Sequence, residues 1–324
     1  MYDQSIRDLI VISMEDKKAL CTGISRVIVA LPKEMWLNSL SSLTNPTIEC
    51  IASLSNTAAS ISPDDSEHEN NAQIIERLGE EISILAMTMR AFDMAASKVS
   101  NNEHDMSPVF SVLQSCWPCL TRIASSSSVH HVISASLNEI LLVSISLSDS
   151  YQQIRLLMQV YEITIIIVET VAKSSQLLAL EPIMELISDI LNRFGPIGDA
   201  EATGQIREII KQLLSRSFIL VNSITTDAQL DVLPAMFSIC TSGIQKCPIS
   251  FMSLNSDQTD EHLFVRSISV AVSSISRKHA DVARAAMLYL KEAVSTSYFV
   301  SLFLRLDDLN SKYVWNYVCI IAYF

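Results

Sequence analysis

Apolar residues recur every three or four positions along nearly the whole chain, whereas two-residue alternation is scarce. This spacing places one apolar face on each of a series of α-helices, and short polar breaks separate them. The pattern therefore predicts an all-α protein. Its predicted helices cover residues 17–31, 33–43, 46–55, 72–98, 108–124, 129–147, 151–173, 178–194, 205–223, 228–246, 261–276 and 281–296.

The first of these helices, residues 17–31, has a clear apolar face that we expect to be buried. That face consists of Leu20, Ile24, Val27, Ile28 and Leu31. Pro32 is expected to end this helix, because proline restricts the residue before it and has no N–H to donate. Pro46 is expected to begin a new helix, since the first turn does not need that N–H.

Helices joined by short turns, with no strands between them, predict antiparallel pairs stacked side by side. Successive pairs begin about 40 to 55 residues apart, which is close to the period of HEAT and armadillo arrays. The segment 281–294 fits the second helix of such a repeat, because its alanines let a neighbouring helix approach closely. We therefore predict an α-solenoid over residues 1–296. A compact helical bundle is the alternative, and residues 297–324 form an atypical hydrophobic tail.

Composition narrows the classes of function. Only 6 glycines among 324 residues are too few for glycine-rich phosphate loops or turn-rich β-sandwiches. A net charge of −12 disfavours direct nucleic-acid binding, which needs clustered cations. The mean hydropathy of +0.31 raises the question of a membrane span, but the uncharged run 313–324 is shorter than the roughly 20 residues required.

Seven scattered cysteines do not resemble the framework of a disulfide-rich secreted domain. The amino-terminal residues carry acids inside a short apolar stretch, which is not the pattern of a signal peptide. We therefore expect the protein in the cytoplasm and nucleus.

The pair Cys116 and Cys119, in the sequence CWPC, is the strongest candidate for chemistry. A C-x-x-C motif supports thiol–disulfide exchange when it follows a strand and opens a helix. Here helical patterns lie on both sides, so burial in a helix interface is the favoured interpretation. Metal binding is also disfavoured, because the remaining thiol and imidazole groups lack the spacing of paired zinc ligands. These groups are His130, His131, Cys240 and Cys247.

No other pattern indicates catalysis or a cofactor. Four histidines lie in or beside polar breaks, as surface histidines do: His68, His104, His262 and His279. The sequence has no G-x-S-x-G elbow and no dinucleotide fingerprint. Asp257, Asp260 and Glu261 are interpreted as capping the next helix. The acidic stretch 64–69 is interpreted as a solvated loop, with the steering of a basic partner as the alternative. We predict no catalytic, cofactor-binding or metal-binding residues.

Several segments resemble the importin-β superfamily of nuclear transport receptors, in the transportin-SR and importin-thirteen branch. The main segment is 19–54, in which a helix ends at Leu-Pro and two short helices follow. Segments 74–92, 116–120 and 232–248 are similar to later helices of that family. The resemblance implies a receptor that binds protein cargo on a curved surface and releases it when the GTPase Ran binds in its GTP form, with nucleoporins as further candidate partners.

The sequence departs from that branch in two respects. The stretch 125–146, which corresponds to the helix that reads arginine-serine cargo in transportin-SR, contains no arginine. The first predicted repeat also resembles the middle of a family array, so the implied Ran site is incomplete. A cytosolic HEAT-repeat scaffold or regulatory subunit is therefore the alternative function, and an enzyme using Cys116 and Cys119 is the third.

Overall fold

The computed structural model describes most of the chain. The described residues are 13–61, 69–99, 107–147, 154–174, 177–200, 204–221, 230, 232–252, 255–256, 259–276 and 279–296. The fold within them is almost entirely helical, as predicted, with twelve α-helices, one 3₁₀ turn and one small hairpin.

The first six helices follow one another over residues 14–172. They are α1 (Met14–Ile28), α2 (Lys33–Ala58), α3 (Glu69–Val99), α4 (Pro108–Ser126), α5 (His131–Ser146) and α6 (Ile154–Ala172). After the 3₁₀ turn Leu177–Leu180 come α7 (Glu181–Ala200), α8 (Gln205–Val221), α9 (Leu233–Lys246) and α10 (Pro248–Met252). The hairpin strands β1 (Asn255–Ser256) and β2 (Thr259–His262) precede α11 (Leu263–Ile275) and α12 (Ala280–Ser295).

The chain divides into two compact units, residues 1–170 and 171–324. In the first unit, helices that alternate along the chain pack together: α1 against α3, α3 against α5, and α2 against α4. A side-chain hydrogen bond of 2.7 Å between Gln114 and Gln159 joins α4 to α6. Among consecutive helices, α2 and α3 make the most extensive contact. Packed helix pairs, as predicted, are therefore the building element of this unit.

The second unit is centred on α9, which packs against both α7 and α12. Helix α8 packs on α7, and α11 packs on α12. The short helix α10 contacts α7, α8, α9 and α11. A hairpin lies between α10 and α11, and the order of packing differs from that of the first unit.

Serine is used throughout the core, and two kinds of hydrogen bond satisfy its hydroxyl. Buried serines such as Ser144 and Ser217 donate to the carbonyl four residues earlier in the same helix. Others bond across helix contacts, as Ser83 does with Ser136 at 3.3 Å and Ser188 with Ser242 at 2.8 Å. A small residue lets the helices approach closely, and its hydroxyl is satisfied within the core.

Two predicted helix boundaries at prolines are wrong. The predicted helices 33–43 and 46–55 are one helix, α2, with Pro46 inside it, and the predicted break 195–204 is helical as far as Ala200, past Pro196. Pro118 likewise lies inside α4. All three prolines are exposed. The residues whose carbonyls lose a partner, four positions earlier, are Ser42, Gln114 and Asn192, and none of them is buried. A carbonyl that water can reach makes the missing bond less costly.

The hairpin corrects a third boundary. The predicted helix 261–276 begins at Leu263, because residues 259–262 form strand β2. Asp260 and Glu261 therefore lie in strand β2, just before this helix, and Asp257 lies outside the described residues. Most of the acidic stretch 64–69 and all of the tail 297–324 also lie outside them.

The apolar face of α1 is the most consequential difference from the sequence prediction. Ile28 is buried, but its four companions on the predicted core face are exposed. The exposed fractions are 53% for Leu20, 37% for Ile24, 64% for Val27 and 37% for Leu31. None of the described helices is long and apolar enough to cross a membrane.

Candidate protein-binding groove

Exposed side chains of α1 and of the turn after it have the spacing of a helix-packing face. We define the α1 stripe by its large members, Leu20, Ile24 and Val27 of the helix and Leu31 of the turn. The small residues Ala19, Gly23 and Ala30 lie beside them in sequence and are also exposed. A Cβ added at Gly23 would meet no atom within 4 Å. The stripe thus offers knobs and an open hole of the kind that receives a second helix.

The face of α1 beside the stripe is held firmly against α3. Ser25 and Ile28 are buried there, and the Lys17 ammonium pairs with the Glu81 carboxylate of α3. The side chain of Glu81 is only 3% exposed. Its second oxygen, Oε2, is buried and has no hydrogen-bond partner. Because one face of α1 is fixed in this way, the exposure of the stripe reflects the packed position of the helix.

A groove of about 840 Å³ lies at the carboxyl-terminal end of the stripe. It is formed where the turn between α1 and α2 meets the last turns of α3. Its walls are Arg26, Val29, Ala30, Leu31, Pro32, Lys33, Trp36, Ala91, Met94, Ala95, Lys98 and Val99. Leu31 belongs to both the stripe and the groove, so the two surfaces are continuous.

Trp36 forms a rigid floor for this groove. Its indole N–H donates to the carbonyl of Leu31 at 2.9 Å, which ties the first turn of α2 to the end of α1. Its ring meets Phe92 of α3 edge to face, with the centroids 5.6 Å apart. Both contacts are made within the protein itself, so this floor is already formed before a ligand binds.

Apolar side chains and cations share the rim of the groove. Met94 and Val99 are among the most exposed apolar residues described, at 58% and 60%. Arg26, Lys33 and Lys98 contribute three positive charges, and the Lys33 ammonium lies 5.9 Å from the centre of the Trp36 ring. No carboxylate is among the described residues that line the groove. In a chain whose net charge is −12, this is a locally cationic surface.

The candidate redox pair has an environment that suppresses thiolate chemistry. Cys116 lies in the middle of α4 and is 2% exposed, and its thiol donates to the carbonyl of Leu113. Burial, with a smaller contribution from neighbouring Cys119, raises the pKa of the Cys116 thiol to about 12. Since the thiolate is the nucleophile, this position is poorly suited to disulfide exchange near neutral pH.

The candidate metal ligands are not brought together. His130 is buried and His131 is exposed, so they face different sides of the chain. Burial lowers the pKa of His130. Cys240 and Cys247 lie at the middle and the end of α9, both fully buried. In the part of the chain that the structure describes, no group of three or more potential ligands is close enough to hold a metal ion.

The remaining histidines lie at the ends of other elements or outside the described residues. His279 is the N-cap of α12 and accepts a hydrogen bond from the backbone N–H of Val282. His262 ends strand β2, while His68 and His104 lie outside the described residues.

The comparisons with known proteins do not add a family to this picture: no family profile and no curated protein sequence matches the chain. The groove was not predicted from the sequence, because it is assembled from segments about 60 residues apart. One local signal was present. Ala19, Gly23 and Ala30 alternate with the large residues of the α1 stripe, and such small residues are typical of a surface that another helix approaches.

Proposed function

We propose that this chain is a non-catalytic, helical-array protein whose function is to bind other proteins. One observation carries the proposal: in the first unit α1, α3 and α5 pack in succession, while α2 packs on α4. Contact between alternate helices is the arrangement in which helix pairs stack, with each pair touching only its neighbours. Such arrays provide long surfaces for macromolecules.

The arrangement supports an α-solenoid as the finer description of the fold. Stacked pairs in a solenoid place the first helices of successive pairs in one layer and the second helices in another. The order α1, α3, α5 and the order α2, α4, α6 fit these two layers. The proposal covers residues 1–296, with the departure at α10 and α11 treated as an irregular repeat.

Within this class, we propose a nuclear import receptor. The support is the resemblance of residues 19–54 and the later segments to the transportin-SR and importin-thirteen branch. The proposed partners are protein cargo, the GTPase Ran and nucleoporins, and the proposed sites of action are the cytoplasm and nucleus. Arginine-serine cargo is not part of the proposal, because α5 and the turn before it contain no arginine.

A scaffold or regulatory subunit of a cytosolic complex is the second candidate. The observation that favours it is the chemistry of the α1 surface, where a fixed apolar stripe meets a cationic groove. Such a surface could bind a permanent subunit of a complex as well as a transported cargo protein. Neither candidate requires an enzymatic step, and the raised pKa of Cys116 is unfavourable to the one that CWPC would offer.

The nucleotide state of Ran distinguishes the two candidates. The whole chain is immobilised, loaded with proteins from a cell extract, washed, and exposed to Ran carrying either GDP or a non-hydrolysable GTP analogue. An import receptor releases its bound proteins only with the GTP form. Proteins retained equally with both forms contradict Ran-governed release by this chain and leave the scaffold as the remaining candidate. Recovery of no protein above that on a heat-denatured control would contradict both.

A further inference from the structure

We infer that the α1 stripe and the adjoining groove together bind an amphipathic helix of a partner protein whose apolar face is flanked by acidic side chains. This deepens the proposed function, because it names the kind of segment that the array would recognise. It rests on that function only in assuming that the partner is another protein.

The stripe sets the length and form of the occupant. Leu20 and Val27 lie seven positions apart within α1, about 10 Å at the helical rise or two turns, and Leu31 extends the stripe three residues beyond the end of the helix. Its large residues follow the i, i+4, i+7, i+11 spacing that a docked helix reads as anchors. Gly23 provides an open position in the middle, where an apolar side chain of the partner would insert.

The groove sets the charge of the occupant. Arg26, Lys33 and Lys98 surround an apolar floor, and no carboxylate shares its described lining. An occupant with acidic residues at the end near Leu31 would pair with these cations while its apolar residues contact Met94 and Val99. A basic occupant would meet like charges at the same positions.

A second copy of this chain fits less well. Four half-exposed aliphatic side chains amount to less than the roughly 800 Å² per partner of a standard protein interface, but they suit a single helix laid on a groove. A second copy would also bring an additional net charge of −12 towards the first.

The test uses a designed 18-residue peptide as the probe. It is an amphipathic helix with leucines at i, i+4, i+7 and i+11 and glutamates beside them, and a matched peptide carries lysines in place of the glutamates. Binding to the whole chain is measured by fluorescence polarisation. Because the protein is acidic overall, non-specific attraction would favour the lysine peptide. Tighter binding of the glutamate peptide is therefore the result expected only of the cationic groove, and it weakens as salt is raised.

Matched variants assign the binding to this surface. Val27→Glu removes an apolar contact and should weaken binding of the glutamate peptide by about tenfold or more. Lys98→Glu should weaken it about two- to fivefold and shift the preference towards the lysine peptide. Met287→Glu and Lys291→Glu make the same changes on exposed positions of α12 and should leave binding unchanged.

Four outcomes of the peptide measurements would overturn the inference. They are no binding, preference for the lysine peptide, an equal loss in Val27→Glu and Met287→Glu, and a dimer that Val27→Glu dissociates without peptide binding. The last outcome identifies a second copy as the occupant. If Val27→Glu leaves Ran-sensitive protein binding intact, the inference fails while the proposed function stands. If the peptide binds as expected but Ran has no effect on bound proteins, the inferred binding site is retained and the transport function is contradicted.

Discussion

Helices α1 and α5 both pack on α3, yet their apolar residues have opposite environments. In α5, Leu137, Ile140 and Leu141 are fully buried, and three of its four serines are buried as well. In α1, whose apolar residues follow a clearer helical spacing, Val27 is nearly two-thirds exposed. The comparison teaches that helical periodicity identifies which residues share a face, whereas the neighbouring elements decide whether that face is core or surface.

The largest expected difference between the two helices is in the free energy of unfolding that a leucine-to-alanine substitution removes. Leu137→Ala removes a fully buried side chain and should lower the free energy of unfolding by about 2–5 kcal/mol. Leu20→Ala, at a 53% exposed position, should change it by less than about 0.5 kcal/mol. Urea unfolding followed by circular dichroism measures both. Similar losses in the two variants would show that the α1 stripe is covered in solution.

The second prediction concerns the contact that holds α1 to α3. Lys17→Met leaves the buried carboxylate of Glu81 uncompensated and should cost about 2–3 kcal/mol, because the partly exposed Lys17 places the pair towards the lower end of buried ion pairs. The double variant Lys17→Met, Glu81→Met removes both charges and should recover most of that loss. Urea unfolding of the two variants measures the recovery. A double variant that is less stable than Lys17→Met would mean that the lysine does not compensate the carboxylate.

The third prediction compares two glycines, Gly23 in α1 and Gly79 in α3. Gly23 of α1 faces open space, so Gly23→Ala should raise stability by about 0.5–1 kcal/mol through its helix preference. Gly79 of α3 faces α5, where an added Cβ would lie 2.7 Å from Val132 Cγ1. Gly79→Ala should therefore cost about 1 kcal/mol. Gly23→Ala should raise the melting temperature and Gly79→Ala should lower it. If both variants shift it in the same direction, the two glycines do not differ in packing as described.

The smallest effect is a dependence on pH at the start of α5. Burial holds the pKa of His130 below its ordinary value of 6.5, so the unfolded chain binds a proton that the folded chain does not. This contribution to stability is complete above pH 6.5 and declines as the pH falls through the lowered pKa. His130→Asn should make the decline shallower when urea unfolding is repeated across this pH range. Helix α1 contains no histidine, so an unchanged slope in the variant would place the effect elsewhere in the chain.

Much of the fold followed from the sequence. Helical spacing predicted the existence and order of the helices, and the break at Pro32 was confirmed, with α1 ending at Ile28 just before it. Pro46 was misjudged because one chain cannot reveal which side of a helix faces water. The proline is exposed, and buried Thr44 and Thr47 on either side of it hold α2 in place.

The candidate site was less predictable than the fold. Trp36 and Leu31 are neighbours in sequence, and their hydrogen bond is a local event. Met94 and Lys98 reach the same groove only because α3 packs back on α1 and α2. No periodicity within α3 distinguishes these residues from other solvent-facing positions. The net charge of the whole chain, −12, also gave no indication of a positively charged groove.

The buried thiols of Cys116 in α4 and Cys240 in α9 can be used to measure how fast each part of the fold opens. Cys116 lies in the first unit and Cys240 in the second, and burial raises the pKa of both. An alkylating reagent can modify each only after its own surroundings open. The two modification rates under native conditions therefore report whether the units open together or separately. Cys116, one of the two thiols of CWPC, thus serves together with Cys240 as a reporter of cooperativity.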